Sequence, residues 1–261
     1  MTAPLFWAPP EALAGAGAGA VVRLTGAEAR HAVAAQRLRP GQPVLLSDAA
    51  GLRLAGRVAA AEGGLGAGEA VLAVAVERVE RVEPRRPALA LVQALAKQRR
   101  DEAGAAAATQ LGADRIIPWQ AERSVPRWLG APGAKGRRRW QQVVRAEGQV
   151  ARRALLPPVE EVVGSAALAE RLRREIAGAG AQAVVLDESA GTALAQALAP
   201  MRTAGEVFLL VGPEGSITPQ ELAAFAAAGA VAARLGPEVL RTGLAGAAAL
   251  AVASQVLGRW D

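Results

Sequence analysis

Three short stretches of the chain combine glycine, proline and charged or hydroxyl side chains as a ligand-holding turn does: LDESAG at 186–191, VGPEGSIT at 211–218 and LGPEVLRTG at 235–243. Each follows an apolar run of the kind that forms a buried strand, and ligands of open α/β sheets sit at the carboxyl ends of strands. The three turns are consistent with a single site. Gly212, Gly215 and Gly236 let the backbone approach a ligand, and Pro213 and Pro237 stiffen the turns. Thr218 precedes Pro219 and lies three residues before Glu221, the pattern of a helix N-cap with proline at the first helical position and a capping-box acid. No lysine follows the glycines as a phosphate-binding loop requires, and no G-x-G-x-x-G follows a strand. The chemistry predicted is therefore recognition by backbone amides and carbonyls, which suits adenine with a ribose but no phosphate.

The elements that would position these turns alternate between strand and helix from residue 88 onward: ALALVQAL, EAGAAAATQLGA, RIIPW, a basic helix, AALAERLRREIAGA, AVVLDE, ALAQALAP, EVFLLVG, TPQELAAFAAAG, VAARLG and a final apolar helix. That alternation predicts a mostly parallel sheet covered by helices. Ahead of the Pro-and-charge linker VEPRRP the pattern differs. AVVRLTG, RPGQPVLLSD, GLRLAGRVAAAE and EAVLAVAVERVERVE read as strands of a small barrel or twisted sheet around one helix, EARHAVAAQR. The domains expected are residues 1–82 and 83–261. His31 on that helix reads as a packing or surface residue.

Composition excludes several chemistries. The 261 residues include no cysteine and one histidine, so disulfides, thiolate catalysis, cysteine-ligated metals and histidine clusters are out of reach, and no metal site is expected. The N-terminal MTAPLFWAPPEAL lacks the basic and apolar regions of a secretion signal, and the apolar run GLAGAAALAVASQVLG is too short and too interrupted to span a bilayer. A soluble, cytoplasmic protein without membrane association is expected. The net charge of +6 is concentrated: residues 135–153 carry seven Lys or Arg and one acid, whereas residues 1–84 carry eight of each sign. This segment, KGRRRWQQVVRAEGQVARR, has helical periodicity, with Trp140, Val143 and Val144 on one side. A basic helix of this kind is an electrostatic footprint for a phosphate backbone, although a solvated helix face has the same composition.

Taken in order, QLGADRIIPWQAERS, the K-x2-RRW of the basic helix, LPPV at 156–159, LLVGPEG and LGPEVLRTG resemble the bacterial 16S rRNA uridine-N3 methyltransferases of the SPOUT superfamily. HAVAAQRLRPGQPVLLSD resembles the PUA-like RNA-binding β-barrel domain of the same family. The resemblance implies a trefoil-knotted α/β methyltransferase domain at 83–261 behind a PUA-like barrel at 1–82, a homodimer, and S-adenosylmethionine as cofactor. The implied substrate is 16S rRNA or the assembled small ribosomal subunit.

Carried onto this sequence, the family motifs assign the cofactor to Leu186, Val211, Gly212, Pro213, Glu214, Gly215, Leu235, Gly236, Leu240, Arg241, Thr242 and Ala245. RNA contacts are expected at Lys97, Arg99, Arg123, Arg137, Arg138, Arg139, Arg145, Arg152 and Arg153, most of them on the basic segment 135–153. Uracil N3 must lose a proton to become nucleophilic, so a base or a cationic stabiliser belongs nearby. Arg241 is the candidate stabiliser, and Glu188 or Glu214 the candidate proton acceptor, with a loop-bonding role as the alternative for Glu214. The sequence departs from the family pattern at Ala107, Gln110, Ser216 (a glycine in the common GPEGG) and Leu244. A ribose 2′-O-methyltransferase and an inactive RNA-binding homologue are the competing readings.

Overall fold

Two sheets of opposite character organise the molecule. In the computed structural model, which describes residues 3–63, 69–128 and 131–260 (backbone only at 131 and 132), the chain divides into one unit of residues 1–83 with 148–156 and another of 84–147 with 157–261.

In the first unit, β1 (Leu5–Trp7), β2 (Val21–Leu24), β3 (Pro43–Ser47), β4 (Leu52–Glu62) and β5 (Val71–Arg81) form a sheet of order β1-β3-β4-β5-β2. β1 pairs with β3 in parallel and the other pairs are antiparallel. One-face burial is plain in β2, where Val22 and Leu24 are buried and Val21 and Arg23 exposed. The register of β4 against β5 shifts at Ala55/Gly56 and again at Val58/Ala60, and such bulges bend a strand pair. A Cβ on Gly56 would lie 2.2 Å from the Ala75 carbonyl oxygen, so the strands approach there only because residue 56 has no side chain. α1 (Pro10–Leu13) and α2 (Gly26–Arg30) complete the unit, α2 running on through a π-helical turn at His31–Ala35. His31 is exposed, its ring 5.9 Å from that of Phe6, in keeping with a packing role.

The basic stretch expected to be helical through residue 153 stops earlier. The helix α4 (Ala131–Val150) ends there, and the residues that follow fold back on its last turn: a Cβ on Gly148 would meet Leu156 Cδ1 at 2.4 Å and the Trp7 indole at 3.1 Å. The reversal needs a left-handed residue, which is Arg152 at φ 53°. Arg152 and Arg153 are thus off the helix. The Arg152 carbonyl accepts from Arg53, and Arg153 Nε donates to the Leu155 carbonyl at 2.9 Å.

In the second unit, β6 (Ala88–Ala94), β7 (Arg115–Gln120), β8 (Val163–Gly164), β9 (Gln182–Leu186), β10 (Glu206–Val211) and β11 (Val231–Ala233) form a six-stranded sheet of order β11-β9-β10-β6-β7-β8. Every pairing is parallel. Strands buried on both faces read as unbroken apolar runs, which is why VFLLV and ALALV carry no alternation. Helices α3 (Arg100–Gln110), α5 (Ser165–Ala179), α6 (Leu194–Leu198), α7 (Pro219–Ala227) and α8 (Thr242–Val256) cover the sheet. Phe208, Leu210, Trp119 and Phe225 are fully buried in its core, the last two rings edge to face at 5.3 Å.

A charged cluster closes the edge of this core. Arg115 donates to Glu206 at 2.6 Å and Glu175 at 3.2 Å, lies 3.4 Å from Glu160, and stacks over the Phe208 ring at 5.3 Å. Arg171 bridges Glu160 and Glu175 at 2.5 and 2.8 Å. Burial pushes the Glu206 carboxyl above its ordinary value despite Arg115. At Glu175 burial pushes the same way, but the bonds and charges of Arg171 and Arg115 outweigh it and hold the carboxyl below the usual range. Removing Arg115 leaves partly buried carboxylates facing one another. Arg115→Leu is expected to destabilise the fold by about 2 kcal/mol, below the value for a fully buried pair because solvent reaches the cluster. Urea denaturation checks this, and adding Glu206→Gln should restore part of the loss.

Candidate active site

The three chemically loaded turns leave the carboxyl ends of β9, β10 and β11 and meet around one cavity of about 650 Å³. Asp187, Glu188 and Ser189 come from the first turn, Gly212–Glu214, Ser216 and Ile217 from the second, and Leu235–Arg241 from the third, with Thr242 and Ala245 at the start of α8. This position, outside the carboxyl ends of parallel strands, is where such sheets bind ligands.

Hydrogen bonds fix the walls. Thr218 Oγ1 accepts from Glu221 N at 3.2 Å and Glu221 Oε2 accepts from Thr218 N at 2.9 Å, the reciprocal cap that the sequence spacing predicts. Glu221 is buried, and its second oxygen accepts from Glu122 N at 2.8 Å and Ser165 Oγ at 2.5 Å. Trp119 Nε1 donates to the same Ser165 hydroxyl at 3.0 Å. The start of α7, which presents Ile217 and Leu222 to the cavity, is thereby tied to β7 and α5.

A second set of bonds crosses the sheet. Thr242 Oγ1 donates to the Gly212 carbonyl at 2.6 Å and accepts from Gln93 Nε2 at 2.9 Å. The turn after β10, the start of α8 and the end of β6 are held in one arrangement by this one hydroxyl. Gln93 is fully buried, and its amide oxygen is wedged against Gly104 of α3 and Gly246 of α8, where a Cβ would stand 2.7 and 3.2 Å away. Sequence reading missed Gln93. Its only signal was a lone polar residue at the end of the apolar run ALALV, and the partner is 149 residues away.

Of the residues assigned to the cofactor, all but Gly215 line the cavity. Gly215 turns the other way: its carbonyl accepts from Arg123 Nη1 at 3.0 Å, and a Cβ there would meet Arg123 Cβ at 3.0 Å. In this arrangement Gly215 holds Arg123, an arginine that had been assigned to RNA. Ser216, where the resembling family has glycine, does line the cavity, and its φ of 63° lies in the left-handed region that costs a side chain about 1–2 kcal/mol. The departures at Ala107, Gln110 and Leu244 are not among the cavity-lining residues. Gln110 instead donates to Glu147 at 2.5 Å. Asp187, Ile217, Leu222 and Glu238 line the cavity without having been singled out; all but Leu222 sit inside motifs already recognised.

The three catalytic candidates are all in the lining, and they differ in what holds them. Glu214 Oε1 accepts from Lys97 N and from Arg100 Nη1, both at 3.2 Å, so this carboxylate braces its turn against the start of α3. Two donors on one of its oxygens favour the loop-bonding alternative for Glu214 over the proton-acceptor assignment. Glu188 and Arg241 are exposed at the rim. Four carboxylates (Asp187, Glu188, Glu214, Glu238) and one arginine line the cavity, a balance that suits a cationic ligand and disfavours a phosphate.

The arginines assigned to RNA are held in varied ways. Arg137 donates to the Val159 carbonyl at 2.9 Å and pairs with Glu161, and Arg139 pairs with Glu102 at 3.0 Å. Lys97, Arg99, Arg138 and Arg145 are exposed.

A model of the RNA methyltransferase domain matches residues 83–254. The ribosomal RNA small subunit methyltransferase E of Mycobacterium bovis is 45% identical over 243 residues, which is 93% of this chain and 89% of that protein. The enzyme of the same name from Bacillus subtilis is 27% identical over 134 residues, about half of each chain. Among solved structures, a ribosomal RNA small subunit methyltransferase E from Neisseria gonorrhoeae bound to S-adenosyl methionine superposes with a TM-score of 0.78 at 24% identity, covering 97% of this chain and 98% of that one. The parallel sheet, the three turns and these likenesses agree, and the chain belongs to the ribosomal RNA small subunit methyltransferase E family of RNA methyltransferases.

Proposed function

We propose that the protein transfers the methyl group of S-adenosylmethionine to N3 of a specific uridine in 16S rRNA, presented as RNA or in the assembled small subunit. The observation that carries the reading is the cavity at the ends of β9, β10 and β11. It is acidic and free of any phosphate cradle, in a chain that belongs to a family of ribosomal RNA small subunit methyltransferases. The apolar side chains of Ile217, Leu222, Leu235 and Ala245 suit a purine, and Asp187 and Glu238 suit ribose hydroxyls and a cationic sulfonium. When bound, the cofactor supplies an already activated methyl group. The protein's part is to hold donor and acceptor in line and to stabilise the anion left when N3 gives up its proton. Arg241 at the rim is the group for the second task, and Glu188 the remaining candidate to receive the proton.

The finer architecture belongs to the same proposal. β11 lies at the sheet edge, yet α8, which follows it, packs against α3, β6 and β10 in the middle, in keeping with the SPOUT trefoil knot. The first unit would be the PUA-like RNA-binding barrel. Leu244, Ala248, Ala251 and Val252 form a partly exposed apolar stripe on α8 at helical spacing, which supports a homodimer through this helix. Among the described residues no helix is long and apolar enough to cross a membrane, in keeping with a cytoplasmic enzyme acting on ribosomal RNA. The placement of Ala107, Gln110 and Leu244 outside the cavity lining favours an active enzyme over an inactive homologue.

The deciding experiment supplies labelled cofactor and undermethylated small subunits, digests the RNA and identifies the labelled nucleoside. N3-methyluridine is expected. Label on a ribose oxygen would replace this reading with 2′-O-methylation, and no label on any RNA form would replace it with an inactive RNA-binding homologue.

A further inference from the structure

A second cavity, of about 350 Å³, lies in the same unit and has the opposite electrostatic character. Arg99, Arg127, Lys135 and Arg139 line it with Asp101 and Glu102, and its aromatic wall is Trp128. Both Asp101 oxygens accept backbone amides, from Ala96 at 3.1 Å and Glu102 at 2.8 Å, and burial raises this carboxyl above its ordinary value. Glu102 alone faces two of the arginines, Arg139 at 3.0 Å and Arg99 at 3.7 Å. Positive charge is therefore in excess whether or not Asp101 is ionised.

The indole is held in place by its surroundings. Gln120, at the end of β7, accepts from Trp128 N at 2.9 Å and donates to the Pro126 carbonyl at 3.0 Å, clamping the loop from both sides. Trp128 packs against α4 where the helix has two glycines one turn apart, Gly133 and Gly136. A Cβ at Gly133 would meet the Trp128 carbonyl oxygen at 2.8 Å, and one at Gly136 would enter the indole ring at 2.4 Å. Glycine inside a helix costs about 1 kcal/mol relative to alanine, so this pair is explained by what it lets in. The buried Trp140 supports the ring edge to face at 5.3 Å. On the other wall, Gln98 and Arg99 are consecutive non-glycine residues in the left-handed region, at φ 55° and 58°, a strained turn that brings Arg99 to the cavity.

Cations that fork onto phosphate oxygens beside a half-buried indole are the means by which proteins hold an unstacked nucleotide of a single strand. We infer that this cavity is a subsite for one nucleotide of the RNA substrate, its base against Trp128 and its phosphates on Arg99 and Lys135. The two cavities share no lining residue, so the nucleotide held here is a neighbour of the methyl acceptor rather than the acceptor itself. The segment 96–102 forms part of this wall and also braces Glu214 of the cofactor cavity, which places the two sites on opposite sides of one short strained turn. The inference rests on the RNA-methylation reading for its substrate, but its test does not.

The test measures binding of the full-length protein to a short single-stranded oligoribonucleotide and, separately, to S-adenosylmethionine. Trp128→Ala is expected to weaken the oligonucleotide by about 10-fold, in line with about 1–3 kcal/mol per stacked base, while Trp128→Phe keeps most of the affinity and the cofactor affinity changes in neither. Lys135→Ala and Arg99→Ala, at exposed residues that leave the fold alone, should each lower the salt dependence of oligonucleotide binding by roughly one counterion. Oligonucleotide affinity unchanged in Trp128→Ala, or lost equally with cofactor affinity, would overturn the subsite. If Trp128→Ala does not fold, an unaltered salt dependence in the two cation variants would overturn it. Methylation of uridine N3 with no binding change in any variant would leave the proposed function standing without this subsite. Oligonucleotide binding that depends on Trp128 in a protein that methylates nothing would leave the subsite without the function.

Discussion

Thr242→Val is expected to weaken S-adenosylmethionine binding by about 10- to 100-fold with the fold intact. The substitution keeps the shape of the side chain and removes one hydroxyl, which at present donates to the Gly212 carbonyl and accepts from the Gln93 amide. Thr242 and Gln93 are buried, so the groups left behind gain no water in exchange, and an unsatisfied buried polar group costs about 1–3 kcal/mol. The loss falls on the site because the hydroxyl joins two cavity-forming turns, one after β10 and one at the start of α8, that nothing in the local sequence holds together. At 1.4 kcal/mol per tenfold, the penalty converts to the stated range if the open arrangement binds no cofactor. Thr242→Ser keeps the hydroxyl and should bind nearly as the parent does. Calorimetry with the cofactor alone decides the matter, and a valine variant within twofold of the parent would show that the bridge does not shape the site.

Arg241→Ala should depress turnover by about 10²–10³-fold, the range for removing one preorganised stabiliser of developing charge, while cofactor affinity changes by less than about threefold. The expectation follows from where charge appears. The imide nitrogen becomes nucleophilic only as its proton leaves, and negative charge then spreads onto the uracil oxygens, so a cation at the rim acts on the transition state more than on the bound cofactor. The rate should rise with pH towards the uracil ionisation, because the reactive anion is the form that gains population. Single-turnover rates across a pH series, with the cofactor dissociation constant measured for each protein, separate the two effects. Equal losses in affinity and turnover would make Arg241 a cofactor ligand instead. Arg241→Lys should recover part of the rate, since a point charge replaces the planar fork incompletely.

The likenesses to known enzymes bear on these expectations unevenly. The family and the sheet are common to this chain and its relatives, whereas the Gln93–Thr242–Gly212 bridge and the clamp on Trp128 are read from this chain's own contacts. The variants above therefore probe the protein's geometry rather than its membership.

The sequence by itself determined what depends on a few neighbouring residues. Apolar runs without alternation marked the parallel strands, since both faces of such a sheet are covered, and Thr218-Pro219 with Glu221 marked the start of α7 because a cap is settled within four residues. The turns that form the cavity were legible for the same reason. Tertiary structure decided what depends on distant partners. Gly215 stood in the right motif and yet faces Arg123, because the direction of a turn's groups is set by what packs behind it. Glu214 fitted a proton acceptor, whereas Lys97 N and Arg100, more than a hundred residues away in sequence, donate to one of its two oxygens. The run of basic residues looked like one helix through residue 153, since arginines give no stop signal. The chain leaves the helix at Val150, and Leu156 and Trp7 pack against Gly148 on its last turn, a contact that no local propensity encodes.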